Sequence, residues 1–432
     1  MSTNFLPLHP ITGFVFASTI LTAPSLFGSG FQVNERSAVG LGRAFSGEAA
    51  IGDDASVLAS NPAATVLLGG EWNYSVGATY INPGADATLF PAVTGGNLGP
   101  SIGDDDIAES ALVPYLYGTK RINDQFVVGL GAFTNYGLRT NYSESIANSI
   151  GTNFSEITSV NFNPSFSYRI NDVVSIGAGF NAVYAEGEIT SNAVPLAGAP
   201  SFGLEGDDWA FGYNFGILFE LSEQTRIGLS YRSEIDLELE GSVTGSIVGG
   251  GTFPAGLAID LPATAEFSIY QEINDKWAVH GDILWTQWSS FESLDPTVST
   301  GFAPQDAAIN AGLSTPQNWN NTFRYSIGTT YTHNSQWTFR GGIAYDESPV
   351  EDAFRTLRIP DGDRVSLSLG ASYAINEHVK IDAGYSLVLV DDINLGQPNN
   401  SPSGFADLGL IGSNSSGEGN IHTFSLGVSG SF

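Results

Sequence analysis

The sequence predicts an all-β fold, a closed antiparallel barrel of 14 strands that crosses a membrane. Three observations carry that prediction. Apolar and polar side chains alternate with a period of two, a tight-turn unit recurs along the chain, and the connections are short at one end of the strands and long at the other.

The alternation comes first. In 336–346, Trp337, Phe339, Gly341, Ile343 and Tyr345 share one parity, while Thr338, Arg340, Ala344 and Asp346 share the other. In 226–239, Ile227, Leu229, Tyr231, Ile235, Leu237 and Leu239 oppose Arg226, Ser230, Arg232, Glu234, Asp236 and Glu238. Side chains alternate across a strand, so each segment has one face fit for lipid and one for a wet or plugged interior.

The turn unit sets the strand count. It reads Arg-Ile-Asn-Asp-Gln at 121–125, Arg-Ile-Asn-Asp-Val at 169–173, Glu-Leu-Ser-Glu-Gln at 220–224, Glu-Ile-Asn-Asp-Lys at 272–276, Thr-His-Asn-Ser-Gln at 332–336 and Ala-Ile-Asn-Glu-His at 374–378. Asn, Asp and Ser tolerate the backbone angles of tight turns, so each marks a hairpin. Six hairpins supply twelve strands, and single strands at 71–82 and 419–432 bring the total to the even number that bacterial barrels use. Long segments at 187–208, 241–260 and 289–321 form the opposite end, the asymmetry of an outer-membrane barrel rather than a soluble sandwich. Phe424, Leu426, Val428 and Phe432 share a parity in the last strand. A Phe ending such a strand looks like the assembly signal of outer-membrane proteins, which makes the barrel-assembly machinery an expected partner.

Composition agrees. Of 432 residues, 42% are apolar, 12% aromatic and only 14% charged, against about 25% charged in an average soluble protein. After the N-terminus no stretch approaches the roughly 20 consecutive apolar residues of a spanning helix. The net charge is −30, which excludes nucleic acid as a partner because phosphates demand clustered Lys and Arg. The acidity fits solvated loops, or divalent-cation bridging to lipopolysaccharide by groups such as Asp104-Asp105-Asp106. With no cysteine, disulfides and thiol chemistry are absent, and neither a metal site nor a cofactor is expected. The apolar run Ile11 to Ala23 is too short to span and suits a signal peptide over 1–28, cut near Gly28. Residues 29–70 are rich in Gly, Ala and Ser without sustained alternation; they suit either a periplasmic tail or a plug in the bore.

At Gly30-Phe31-Gln32-Val33-Asn34-Glu35 the chain becomes recognisable, and the likeness continues through Gly40-Leu41-Gly42-Arg43-Ala44-Phe45-Ser46-Gly47, Asp53-Asp54-Ala55 and Asn61-Pro62-Ala63. These blocks resemble the hatch segment of the FadL/TodX family of outer-membrane transporters of long-chain fatty acids and hydrocarbons. Later blocks extend the resemblance in order across the barrel: Thr134-Asn135-Tyr136-Gly137-Leu138, Phe180-Asn181-Ala182-Val183-Tyr184-Ala185, Ser230-Tyr231-Arg232-Ser233-Glu234, Trp337-Thr338-Phe339-Arg340, Asp346-Glu347-Ser348-Pro349-Val350 and Ile359-Pro360-Asp361-Gly362-Asp363-Arg364.

The resemblance implies a 14-stranded barrel over 71–432 plugged by an N-terminal hatch at 29–70, to which Phe31, Asn61, Pro62 and Ala63 belong. It also implies passive, ligand-gated uptake of long-chain fatty acids or similar hydrophobic compounds. The ligand would leave sideways at a kink in the third strand, matched here by Asn135, Tyr136 and Gly137. Such an exit suits a molecule poorly soluble in water and at home in a bilayer.

Two long connections carry apolar residues, Val194, Leu196 and Phe202 in one and Ile247, Val248, Phe253 and Leu257 in the next. Exposed apolar clusters mark contact surfaces, so these residues are expected to form a capture groove or to pack together as a lid, two roles that can coexist. Charges expected on the lumen side are Arg232, Glu234, Asp282, Arg324, Arg340 and Asp346. They suit an ion-pair network holding the hatch.

The family's fatty-acid transporters place basic residues facing the ligand head group where this chain has Glu186 and Asn320. Like-charge repulsion at Glu186 would favour a neutral hydrocarbon, unless Arg324 receives the head group.

A lipase would need a nucleophile with an adjacent base. Of five histidines, His9 lies in the signal segment and His333 and His378 in turns; only His280 and His422 lie on strands, and no nucleophile elbow or zinc-protease motif accompanies them. A diffusion porin or adhesin is the other alternative, and an open bore would conduct ions.

Overall fold

Turn chemistry and alternation together build one ring of 14 strands. The structure, a computed structural model, describes residues 30–90, 92–93, 96–97, 101–105, 107–194, 199–395 and 415–432; the expected signal segment 1–28 lies outside them. The strands are β1 (Trp72–Leu89), β2 (Ala111–Arg121), β3 in two pieces (Phe126–Phe133 and Gly137–Asn141), β4 (Thr152–Arg169), β5 (Val174–Ser191) and β6 (Phe202–Glu220). Next come β7 in two pieces (Thr225–Arg232 and Ile235–Thr244), β8 in two pieces (Phe253–Leu261 and Thr264–Asn274) and β9 (Trp277–Thr286). The last five are β10 (Thr322–Thr332), β11 (Trp337–Asp346), β12 (Arg364–Ala374), β13 (Val379–Asn394) and β14 (Ser416–Ser431). Each is antiparallel to its neighbour, and β1 pairs with β14 from Asn73↔Ser431 to Thr88↔Ser416, so the sheet has no free edge there. Closure is what allows a sheet to stand in hydrocarbon, where an unpaired backbone group costs several kcal/mol.

All six expected turns join neighbouring strands, and the repeated polar residue does the same work in each. The Asn123 side chain accepts the backbone N–H of Gln125 and Phe126 at 2.9 Å each. Asn171, Asn274, Asn334 and Asn376 repeat this, and Ser222 substitutes in the third turn. The outer strands are longer than the sequence predicts: β1 runs to Leu89 and β14 begins at Ser416. Most of 241–260, expected as a long connection, is the upper part of β7 and β8, leaving only 245–252 between them.

Outward residues such as Phe339, Ile343, Leu369 and Leu426 are exposed, forming the apolar skin. Between Gly30 and Leu68 nearly every residue is buried, because this segment fills the bore. It contains two single-turn helices, α1 (Ala38–Leu41) and α2 (Val57–Ser60), and a 3₁₀ turn at Pro62–Leu67 whose first N–H groups are capped by the Asn61 side chain, bonded to Ala63 N–H at 2.9 Å. Inward glycines let its backbone touch the wall. A Cβ on Gly228 would lie 2.0 Å from the Ala49 carbonyl oxygen, and one on Gly342 would lie 2.2 Å from that of Arg43.

The expected single apolar face of 226–239 is corrected by the structure. Leu229 and Tyr231 point outward, but Ile235, Leu237 and Leu239 are buried inside while Asp236, Glu238 and Glu240 are exposed. The break at Ser233–Glu234 slips the parity by one residue, and a one-residue slip turns every later side chain over. β8 does the same across Pro262–Ala263: Ile259 and Leu261 face in, Phe267 and Ile269 out. Toward the loop end the wall therefore reverses its polarity here, apolar inside and acidic outside.

Candidate functional site

That reversal creates an apolar compartment between the plug and the long connections, a chamber packed by its own side chains. Its wall includes Leu138, Ile157, Val183, Ala210, Leu237 and Ile259, each buried and in one cluster. Nearer the turn end, the inward positions of the same strands are polar: Asn161, Asn163, Asn181, Asn214, Arg232 and Glu266 are all buried. The chamber floor is thus an amide and guanidinium layer, in which Arg232 bonds the Asn181 side chain and, at 2.7 Å, the Ala59 carbonyl of the plug.

Phe31 rises into the chamber and is boxed by aromatic rings. Its centroid lies 4.7 Å from Trp288, 5.3 Å from Phe291 and 5.9 Å from Tyr136, all edge-on, and 5.8 Å from Trp319. Edge-to-face pairs of this kind add about 0.5–1.5 kcal/mol each beyond burial. Gly30, at φ 63°, passes between the two indoles, where a Cβ would sit 2.5 Å from Trp319.

One wall of the chamber is incomplete. β3 leaves the sheet at Thr134–Tyr136, and its pairing with β2 stops at Leu116↔Ala132, so Ala111–Tyr115 have ladder partners only on the β1 side. The freed backbone is taken up by the plug: Val33 N–H donates to Asn135 O at 2.7 Å, and Gly137 N–H donates to Phe31 O at 2.9 Å. The Tyr136 hydroxyl reaches across the bore to Pro262 O at 2.7 Å. Asn135, Tyr136 and Gly137 thus sit where β3 leaves the sheet beside the plug, with Tyr136 and Gly137 buried.

Asn61, Pro62 and Ala63 sit at the other end of the plug. Asn61 Nδ2 donates to Ala49 O at 2.7 Å and to Ile217 O on β6 at 3.1 Å. The lumen charges hold the plug as expected from their parity. Arg43 pairs with Glu48 at 2.7 Å and Asp53 at 2.9 Å, and Arg340 with Asp53 at 3.2 Å. Burial opposes the charge on Asp53, but Arg340 and Arg43 hold its carboxyl well below the usual range. Arg324 donates to Ala44 O at 2.6 Å and lies 3.7 Å from Asp346. Asp282 accepts from Ser268, whose Oγ also accepts the Ala49 N–H at 2.9 Å. His280 is buried with Nδ1 2.7 Å from Ser46 Oγ, a structural contact to the plug. Glu234 sits in the β7 break and is half-buried.

The head-group candidates are corrected. Glu186 has the outward parity of β5, is exposed and accepts the Tyr184 hydroxyl at 2.7 Å, so it does not face the chamber. Asn320 is exposed and donates to Glu351 at 2.8 Å. Arg324 is held by the plug and Asp346, and serves seating rather than the chamber.

Of the capture-groove residues, Val194, Phe202, Ile247 and Val248 are buried, while Phe253 and Leu257 are half-buried. Phe202, Ile247 and Val248 are buried with Ile309 and Leu313 of α4 (Ala303–Leu313), and Phe253 packs on them. Leu257 packs instead on the chamber cluster, and Val194 joins Ile146 and Ile150 of α3 (Glu144–Ile150) in another. Apolar loop residues stack on each other because nothing else shields them from water; together they roof the chamber. Leu196 lies outside the described residues. So does Asp106 of the acidic run, while the Asp104 side chain accepts the Ser143 N–H at 2.7 Å. Among the described residues no cluster of acidic or His side chains is arranged to hold a metal.

A strap at 347–363 completes the roof. Arg358, buried, donates to Ser191 Oγ at 2.6 Å and Ser155 Oγ at 3.0 Å, tying the β11–β12 connection to β4 and β5. Asp361 is fully buried and takes the Ser348 hydroxyl at 2.5 Å. Burial pushes its carboxyl up to about 7, against the pull of Ser348, Arg364 and the Gly30 backbone. Sequence reasoning did not pick out Trp288, Phe291, Trp319 or Arg358. The usable signal was three aromatic residues and the pair Arg355 and Arg358 inside connections that have no reason to be apolar or basic.

Comparison with known proteins bears on all of this. A family model described as outer membrane protein transport protein (OMPP1/FadL/TodX) matches residues 19–432. A long-chain fatty acid transport protein of Escherichia coli O6:H1 is 36% identical over 405 residues, covering 85% of this chain and 88% of the relative. A 47 kDa outer membrane protein of Pasteurella multocida is 35% identical over 396 residues, covering 85% and 88%. Among solved structures, a Pseudomonas aeruginosa FadL homologue superposes with TM-score 0.82 at 24% identity, over 94% of this chain and 100% of that one. The P. putida toluene transporter TodX does so at 0.65 and 16%, over 92% and 98%. At those identities the structures speak for the fold.

Proposed function

This chain belongs to the outer membrane protein transport family OMPP1/FadL/TodX, a protein of the Gram-negative outer membrane, and on that premise we propose passive, ligand-gated uptake of long-chain fatty acids or similar hydrophobic compounds. One observation carries the reading: an apolar cluster above the plug and below the long connections, beside a wall broken at Thr134–Tyr136. A hydrophobic molecule gains free energy by leaving water for such a chamber, about 25 cal/mol per Å² of apolar surface buried. The polar floor offers it no onward path, so the exit is sideways at the kink, into lipid. Residues 30–70 act as the hatch, and the gate is the Phe31–Val33 strand that now satisfies the kink's backbone.

A second ligand class is favoured by a specific feature. The cations bordering the chamber, Arg232 and Arg358, are each held by protein partners. A carboxylate entering would have to compete with them, whereas a neutral aliphatic or aromatic hydrocarbon would not. The relatives are transport proteins, and the barrel's role is transport without chemistry. The loop-end acidic skin, including Glu186, Glu205, Asp207 and Glu240, is the face on which divalent cations would bridge to lipopolysaccharide. The C-terminal Phe432 is the contact for the barrel-assembly machinery.

The test is complementation of a strain lacking its own fatty-acid transporter. Growth on oleate, a fatty methyl ester and toluene as sole carbon sources should be restored for at least one. Growth on none of them, with the protein present in the outer membrane, overturns the proposal.

A further inference from the structure

The kink in β3 is not the one place where the wall is interrupted. β6 pairs with β7 from Gly203↔Thr244 to Asp207↔Glu240 and again from Asn214↔Arg232 to Glu220↔Arg226, and the Ser233 N–H still donates to the Tyr213 carbonyl at 2.9 Å, but between these blocks Asp208–Gly212 and Glu234–Leu239 form no ladder. Two side chains stand in for rungs at its ends. The Asp208 carboxylate accepts the Trp209 N–H at 2.7 Å through one oxygen and the Glu238 N–H at 2.9 Å through the other. The Ser233 hydroxyl accepts the Tyr213 N–H at 3.0 Å.

The gap lies between the chamber and lipid. Ala210, Ile235 and Leu237 on its inner side belong to the chamber cluster, while Trp209, Phe211 and Tyr213 on its outer side are exposed. Ile235 fills the space between the strands: a Cβ on Gly212 would lie 3.0 Å from Ile235 Cγ1. A sheet in lipid normally has every rung made, because no water can replace one. Here the rung at the loop end is the Asp208 side-chain bond, which can be broken and remade by rotation about side-chain torsions without shifting either strand.

We propose that the β6–β7 interruption is a second lateral passage, closed by Ile235 and clasped by Asp208 and Ser233, through which apolar ligands exchange between the chamber and the membrane. It rests on the transport reading above. It differs from the β3 kink in that no part of the hatch closes it, so it can open with the plug in place.

The test uses cells taking up radiolabelled ligand, oleate or the substrate that supports growth. Since the chain has no cysteine, Phe211→Cys with Asp236→Cys places the sole disulfide across the gap. Oxidation should lower initial uptake at least threefold, with reductant restoring it. Ile235→Ala, which empties the gap, should raise uptake at least threefold. Correctly folded variants, judged by heat-modifiable migration on gels, that leave uptake within a factor of 1.5 overturn the passage. An unmodified protein that takes up nothing overturns the transport reading instead.

Discussion

The backbone N–H of Val33 donates to the carbonyl of Asn135 at 2.7 Å, so the plug itself is the missing neighbour of the kinked strand. The hatch bonds Asn135 and Gly137 at the break in β3, and any motion of Phe31–Val33 uncovers an unpaired stretch of wall. Four consequences can be measured.

Phe31→Ala takes the central ring out of the aromatic box formed by Trp288, Phe291, Trp319 and Tyr136. Losing a buried Phe costs about 3–5 kcal/mol, concentrated on the local docking of this segment. Hydrogen exchange of the 31–34 amides should accelerate at least a hundredfold while strand amides keep their protection.

Gly342→Val should unseat the plug, because its Cβ would collide with the Arg43 carbonyl oxygen. Gly118→Val on β2, where nothing lies within 4 Å of a Cβ, is the matched control. Single-channel recordings in planar bilayers should show ion conductance for the first variant and none above background for the second.

Leu237→Glu and Glu238→Leu test the parity reversal. The first puts a charge into the apolar chamber, where burial without a partner costs several kcal/mol, and uptake should fall at least tenfold. The second alters only the outer skin and should leave uptake within twofold.

Asp361 gives a pH dependence. Burial raises its folded pKa to about 7, above the unfolded value near 4. Between those values the folded strap binds a proton that the unfolded strap does not, so strap stability is greatest below pH 4 and declines as pH rises to 7, then levels off. Proteolytic nicking of 347–363 should increase from pH 5 to pH 7.5, and Asp361→Asn should flatten that trend.

Much of the architecture was legible because it rests on local chemistry. Asn123 and its five counterparts each close their own turn, so counting them counts strands. Trp337 to Tyr345 keep one face because β11 is unbroken. Legibility ended where a long-range contact overrides the local period. Nothing near Ser233 in sequence announces a slip, and so Leu237 and Leu239 read as lipid-facing when they line the chamber. Glu186 is a different case: β5 is unbroken and its parity already points Glu186 outward, so the inward expectation follows from the resemblance and not from the period. The greasy residues Phe202 and Ile247 were recognised as unusual, but their partners on α4 lie more than 60 residues away and only the fold brings them together.

Strand β1 follows directly from the plug, and its far edge is the seam with β14, where Glu71 and Trp72 both donate to the Phe432 carbonyl. Strand β14 therefore completes a cylinder around residues 30–68 of the same chain. Once that seam zips, the leading segment can reach the bore only by threading past a rim of turns. Enfolding it beforehand avoids this, and makes the order of assembly a matter of topology: contents gathered early, wall sealed last.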